Sequence, residues 1–425
     1  MNLNPDKIDR STLAPRVRRL SNGKPVYLFA SDSAELVKLD LTFEAGTAYQ
    51  PKKLVAGTAN QLFTEGTLRH SAREIAEFMD FRGIAVDKNI DTYTATVSFY
   101  ALRKHLPELL PVVRELVTEP AFPQQEFDVY VAKQRQSLNA NMQNTSYVAR
   151  NLFYESLYGF DHPMGGYAVD ADFDRIANAD VVRFYNERYR LPEARITLAG
   201  AVADEEVMAD LDRCFGQDPY SPAFDVLGAD FRPVAPVTDL SPVRSVLPSA
   251  VQSTIRMGCL VPFAWDSVEY ARFQVLSTVL GGYFGSRLMS NVREDKGYTY
   301  GIQSQTKISR GSVVFYLTTD VGAEVTDAAV AEIWREMDRL VSEPVPDDEL
   351  ERVRDVMMGD FLRSIDGIFE QSERYRQMTA THCSEVFDNN YFEAVRSVTP
   401  RQLQSLARRM FRRDGILQVV VGPER

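Results

Sequence analysis

Apolar residues recur at two periods along the chain, and the switches between them outline its elements. Tyr93, Ala95, Val97 and Phe99 alternate with Thr94, Thr96 and Ser98, the period-two pattern of a strand with one buried face. A turn-rich stretch, Asp87-Lys88-Asn89-Ile90-Asp91, precedes it. Farther on, residues 299–308 and 313–319 read as strands joined by a turn at Ser309-Arg310-Gly311-Ser312. Helical spacing takes over where Val325, Ala329, Ile333, Met337 and Leu340 fall on one stripe. Leu102, Leu106, Leu109, Val113 and Leu116 form a matching stripe in the first half, with Pro107 and Pro111 placed to start or kink the helix.

These patterns occur twice. Ile176–Tyr189, leading to Arg195–Gly200, is echoed by Val398–Phe411, leading to Leu417–Gly422, at a constant shift of 222 positions (Ile176 to Val398, Gly200 to Gly422). The shift places Val181 on Leu403, Phe184 on Leu406 and Tyr189 on Phe411. A second echo pairs Val112–Leu138, containing Glu119-Pro120, with Ile333–Leu362, containing Glu343-Pro344. Internal repetition of this kind predicts two homologous α+β domains, residues 1–222 and 249–425, each an antiparallel-rich sheet with helices packed on one face. The Pro- and Asp-rich residues 223–248 read as the linker.

Composition narrows the function classes. At 425 residues the chain exceeds one ordinary core, and 44% hydrophobic with 25% charged residues is globular usage. A net charge of −11 argues against nucleic acid as a partner. No stretch approaches the ~18 apolar residues of a membrane span, and the first ten residues lack the apolar core of a signal peptide. The expected compartment is the cytoplasm, or the periplasm if a leader has been removed. Cys214, Cys259 and Cys383 are isolated and suggest neither a disulfide framework nor a zinc ribbon.

Two segments carry the chemistry. The first is Leu54-Val55-Ala56-Gly57-Thr58-Ala59-Asn60-Gln61-Leu62-Phe63-Thr64-Glu65-Gly66-Thr67. The second runs from Leu280 through Gly281-Gly282-Tyr283-Phe284-Gly285-Ser286-Arg287-Leu288 to Arg293, Gly297, Tyr298, Tyr300 and Gly301. In the second, the spacing predicts Arg293 in the last turn of a helix, Gly297 at its left-handed C-cap and Tyr300 near the start of a strand. A strand's period of two would then put Tyr298 and Tyr300 on one face.

Both segments resemble the superfamily of pitrilysin, insulin-degrading enzyme and mitochondrial processing peptidase, as does the opening Arg19-Leu20-Ser21-Asn22-Gly23. In that superfamily the first segment reads G-L-A-H-F-L-E-H-x-L-F-x-G-T, and its H-x-x-E-H motif holds zinc. Aligned without a gap, the two histidines fall on Gly57 and Gln61 and the catalytic glutamate on Asn60. A catalytic zinc needs about three His, Cys or carboxylate ligands, which these residues do not offer. The superfamily's third ligand, a glutamate, belongs in residues 127–138, and no glutamate occurs between Glu126 and Glu155.

The resemblance implies a processing-peptidase-like fold and no metal in this chain. It implies that Arg293 and Tyr300 match the pair that steadies substrate carbonyls and donates to the oxyanion, with Gly281, Gly282, Ser286 and Arg287 on a cavity loop. The expected role is that of the zinc-free member of a two-subunit metallopeptidase. A homologous subunit with an intact H-x-x-E-H would carry the zinc, and the substrate would be a short or unfolded peptide. A homodimer in isolation fits the same picture. The alternative is a non-catalytic scaffold or peptide-binding subunit that keeps the Arg and Tyr by descent.

The remaining candidates have plainer readings. His70 precedes Ser71-Ala72-Arg73-Glu74, an S-x-x-E capping box, and His162 lies in a structural Y-G-F-D-H-P turn. His105 and His382 have no ligand-type neighbour at useful spacing. The glycines at 281, 282 and 285 lack the G-K-[ST] ending of a phosphate loop.

Overall fold

The computed structural model describes residues 14–31, 34–202, 205–221, 237, 239–382 and 385–424. Strands β1 (Arg16–Arg19), β2 (Pro25–Ala30), β3 (Leu36–Phe43), β4 (Ala85–Ile90), β5 (Ala95–Leu102) and β6 (Arg195–Gly200) form one sheet in the order β1-β2-β6-β3-β5-β4. Strands β7 (Val243–Val246), β8 (Gln252–Leu260), β9 (Ile302–Ser309), β10 (Ser312–Gly322) and β11 (Leu417–Gly422) form the other, in the order β7-β11-β8-β10-β9. Without the edge strand β1, the two orders are the same. Each sheet has one parallel pairing in the equivalent place, β2 with β6 and β7 with β11, and is otherwise antiparallel. The 222-position shift holds for the helices Asn178–Arg188 and Pro400–Met410 and for β6 and β11.

The α+β reading of two sheets packed with helices stands, and the differences in detail have physical causes. Residues 87–90, in the stretch Asp87–Asp91 where the sequence suggests a turn, belong to β4. Asp87, Lys88 and Asn89 are tolerated there because β4 is an edge strand with alternate residues exposed, and edges favour charge. The turn itself is tighter and later, with Asp91 Oδ1 accepting from the amides of Tyr93 and Thr94 at 2.7 Å each. Within the stretch read as linker, β7 already pairs with β11, whereas residues 222–236 and 238 lie outside the described residues.

Each half buries its front face against its own helices. In the first, Val37, Leu39, Leu41 and Phe43 of β3 meet Val55, Ala59, Leu109 and Val113. In the second, Ile255 and Met257 of β8 meet Phe273, Ile333, Met337 and Leu406. The predicted stripe of Thr326–Ser342 is buried at Ala329, Ile333, Met337 and Leu340. Pro107 sits in the first turn of Leu106–Thr118, where its missing N–H costs nothing, and Pro111 lies inside it.

Beyond the single helical face expected, the back faces are covered as well, and reciprocally. Thr145–Tyr158, a helix of the first half, lays Ala149, Phe153 and Leu157 on Val314, Leu417, Val419 and Val421 of the second sheet. Ile368–Thr381, from the second half, lies behind the first sheet, where the Tyr375 ring is 5.2 Å from Tyr27 and 5.7 Å from Phe29.

Polar groups fill the rest of these seams. Buried Lys38 lies 3.1 Å from buried Asp40 and 3.4 Å from Glu373. Arg310, in the β9–β10 turn, grips Glu44 with two bonds of 2.6 Å and donates to the Ala380 carbonyl at 2.9 Å. Removing one partner from such a seam leaves a buried charge uncompensated.

Glu373 gives a pH-dependent test of this packing. Burial alone would raise its pKa, but hydrogen bonds from Arg376 and Gln377 and the charges of Arg376 and Lys38 outweigh that and hold it at about 2. A folded-state value below the unfolded one stabilises the fold above the unfolded pKa, near 4.5, and the benefit disappears as pH falls toward 2. Glu373→Gln should therefore lower the urea midpoint at neutral pH, and its gap from the parent chain should close between pH 4.5 and 2. A gap that does not change with pH would rule out this ion-pair account.

Candidate functional site

The segment of the missing metal motif folds as the helix Val55–Leu62. Its N-cap, Leu54, has φ 75°, a left-handed backbone that side chains disfavour, at the position where the related pattern carries glycine. Asn60, which the resemblance sets on the catalytic-glutamate position, is 1% exposed and hydrogen-bonded at both ends of its amide. Its Nδ2 donates to the Asn89 carbonyl at 3.1 Å, and its Oδ1 accepts from the Tyr189 hydroxyl at 3.1 Å. Gly57 opens onto a cavity of about 400 Å³ lined by Lys52, Lys53, His162 and Tyr167, and a Cβ there would meet nothing within 4 Å.

At the other end of this helix, the Gln61 carbonyl accepts from the Lys88 ammonium at 2.8 Å. Thr64 Oγ1 at 2.8 Å and Glu65 at 3.4 Å complete the Lys88 shell. Burial lowers the Lys88 pKa, and Glu65 opposes the shift. The end of a helix that would have to hold a dication thus carries a fixed monocation instead.

The helix expected to bear the third ligand, Gln124–Asn141, has its one glutamate, Glu126, in the first turn. Among the described residues, no group of three or more His, Cys, Asp or Glu side chains is placed to hold a metal ion. The residues present therefore do not fit a catalytic zinc. His70 pairs with Glu115 at 2.8 Å beside the Ser71–Glu74 capping box. His162 stacks on Tyr158 at 5.1 Å. His105 ends a 3₁₀ turn and His382, with φ 59°, caps a helix. Cys214 and Cys259 are buried free thiols, and Cys383 lies outside the described residues.

In the second half, Val268–Ser277 runs into a widened π-helical turn, Thr278–Gly282, and a second such element, Met289–Asp295, carries Arg293 in its last turn. Gly297 ends it at φ 65°, with its amide on the Arg293 carbonyl at 3.1 Å. The strand starts only at Ile302, so Tyr300 lies in a bend before it and is 94% exposed. Tyr298 instead packs on the second core, so the two tyrosines share no face.

A cluster of threonines explains the bend. Thr299 Oγ1 bonds to both the amide and the carbonyl of Gly301, and Thr319 Oγ1 lies 2.9 Å from Thr299 Oγ1 and from the Gly301 carbonyl. These short side-chain bonds compete with strand pairing and push residue 300 outward.

Other residues brace this region. Gly281 is buried, and a Cβ on it would come within 2.9 Å of the Ser304 amide and hydroxyl. Gly282 is exposed, and Ser286 is buried with its amide on the Tyr283 carbonyl at 3.1 Å. Arg287 forms a bidentate pair with Glu349 at 2.8 Å and lines a cavity of about 410 Å³. Two residues that spacing alone did not single out also matter. Asn291 ties the Arg293 helix to Glu332 at 2.9 Å and Glu336 at 2.7 Å. The Arg293 guanidinium rests 4.7 Å from the ring centroid of Phe284, which is itself 62% exposed.

Two outcomes test the first half of the site. Asn60→Leu strands the Asn89 carbonyl and the Tyr189 hydroxyl in the interior, and should cost about 2–4 kcal/mol in chemical unfolding. Restoring Gly57→His, Asn60→Glu and Gln61→His together should still give no stoichiometric zinc by atomic emission, because the helix expected to bear the third ligand, Gln124–Asn141, has no glutamate beyond its first turn. Full zinc occupancy in that triple variant would overturn the ligand count.

Comparison with known proteins bears on the fold and the family. Residues 26–162 match the insulinase model of peptidase family M16, and residues 175–357 match the model described as the M16 inactive domain. An uncharacterized zinc protease of Bacillus subtilis, YmxG, is 23% identical over 94% of this chain and 96% of its own length. A Helicobacter pylori protein named a non-peptidase homolog is 19% identical over 76% of this chain and 74% of its own. The crystal structure of a peptidase M16 inactive domain from Pseudomonas fluorescens, 20% identical, superposes with a TM-score of 0.83 over 97% of this chain and 98% of that one. With two models of one family matched in succession along a duplicated fold, the chain belongs to peptidase family M16.

Proposed function

We propose that this chain is the zinc-free subunit of a two-chain M16 peptidase and supplies Arg293 and Tyr300 to the active site of a homologous, zinc-bearing partner. One asymmetry carries the reading. The metal-motif positions hold Gly57, Asn60 and Gln61, whereas Arg293 and Tyr300 persist, the tyrosine on a bend pinned by Thr299 and Thr319. Hydrogen-bond donors of this kind act on charge that develops in a transition state, and they do nothing without a nucleophile opposite. The partner would bring the metal and the water it activates. In this chain, the Tyr300 hydroxyl would donate to the oxyanion and the Arg293 guanidinium would hold substrate carbonyls. The substrate class is a short or unfolded polypeptide.

A second reading, a scaffold or peptide-binding subunit without catalytic duty, is favoured by the name of the Helicobacter relative. The two readings separate on mixing with a homologue that has an intact H-x-x-E-H, sought first in the neighbouring reading frames. The catalytic reading expects peptidase activity that neither chain shows alone. Tyr300→Phe should then lower kcat about a hundredfold while the complex still forms. Mixed activity indifferent to Tyr300→Phe removes the tyrosine from the mechanism, and no activity from a stable complex favours the scaffold.

A further inference from the structure

Arg293 differs from the arginines around it. Arg287 is paired with Glu349, Arg335 with Glu332, Arg339 with Glu336 and Arg352 with Asp348. Among the described residues, no carboxylate forms an ion pair with Arg293, and its guanidinium lies over the Phe284 ring. An ion pair would orient the side chain but occupy some of its five N–H donors. An aromatic face orients a guanidinium through its π-cloud and leaves those donors available.

Phe284 suits this task and no evident packing one. It is 62% exposed, although it sits on a rigid turn: buried Gly281 abuts Ser304 on one side, and the Ser286 amide bonds to the Tyr283 carbonyl on the other. Below, Asn291 fixes the helix that carries Arg293 to Glu332 and Glu336. Both partners of the stack are thus anchored through their backbones.

We infer that Phe284 is the positioning residue for Arg293, holding its guanidinium by cation–π contact so that its N–H groups stay available to a polypeptide carbonyl. The inference rests on the role proposed above for Arg293. It also accounts for an exposed phenylalanine on an acidic protein, where a charged or polar residue would be the ordinary surface choice.

Two measurements on the full chain test it. In arginine-labelled protein, the Arg293 Nε–Hε resonance should lie upfield from the ring current of Phe284. Phe284→Leu should abolish that displacement and Phe284→Trp should keep it, with the melting temperature unchanged in both. In the mixture with the zinc-bearing homologue, F284L should lower kcat/KM about twofold to fivefold, the range of one exposed cation–π contact, while F284W retains it. Arg293→Ala, run alongside, separates the two levels of the argument. If R293A is strongly impaired while F284L alters neither the resonance nor kcat/KM, the role of Phe284 is refuted and that of Arg293 survives. If R293A is silent in an active mixture, the proposed role of Arg293 fails, and positioning by Phe284 has no catalytic purpose.

Discussion

The exchange of helices across the two back faces is the contact on which the rest depends. Each sheet has one face filled by its own half and another that is completed only by a helix from elsewhere in the chain, Thr145–Tyr158 in one direction and Ile368–Thr381 in the other. The second seam carries buried charge at Lys38 and Asp40, which Glu373 and its partner Arg376 help to compensate. The halves are therefore interlocked rather than strung together. The β9–β10 turn strengthens the lock, because Arg310 reaches Glu44 in one half and the Ala380 carbonyl in the other.

Interlocking has a bearing on function. The helix Val55–Leu62 and the loop of Arg293 and Tyr300 belong to different halves of one interlocked chain. A gap wide enough to admit a polypeptide would more readily arise between two such bodies than within one. On the reading proposed above, the second body is the partner subunit.

Much of this was legible in the sequence, and the failures are instructive. The duplication was readable because the shift of 222 positions aligns whole elements, and the structure repeats even the one parallel pairing of each sheet. The lack of ligand-type residues at Gly57 and Gln61 is a reading of the sequence alone, because ligand chemistry depends on residue type and spacing. Gly297 was correctly placed, since a left-handed helix end selects for glycine. Edge strand β4 was hidden by its own polarity. Tyr300 was misassigned to a strand because threonine side chains, rather than any periodicity, decide where pairing begins. The helix exchange and the Phe284–Arg293 stack left no trace in the pattern, since both depend on which surfaces meet after folding.

The surroundings of Gly57 and Asn60 differ in a way that bears on the history of the site. Space around Gly57 is open, so a Cβ could return there without meeting a neighbour within 4 Å. Asn60 has instead been drafted into the interior, joined at one end to Asn89 and at the other to Tyr189. A carboxylate at that position would face a carbonyl in a dry environment. On the proposed reading of this helix, loss of the metal works as a ratchet whose pawl is an asparagine: the backbone at Gly57 still has room for a side chain, while Asn60 is part of the frame.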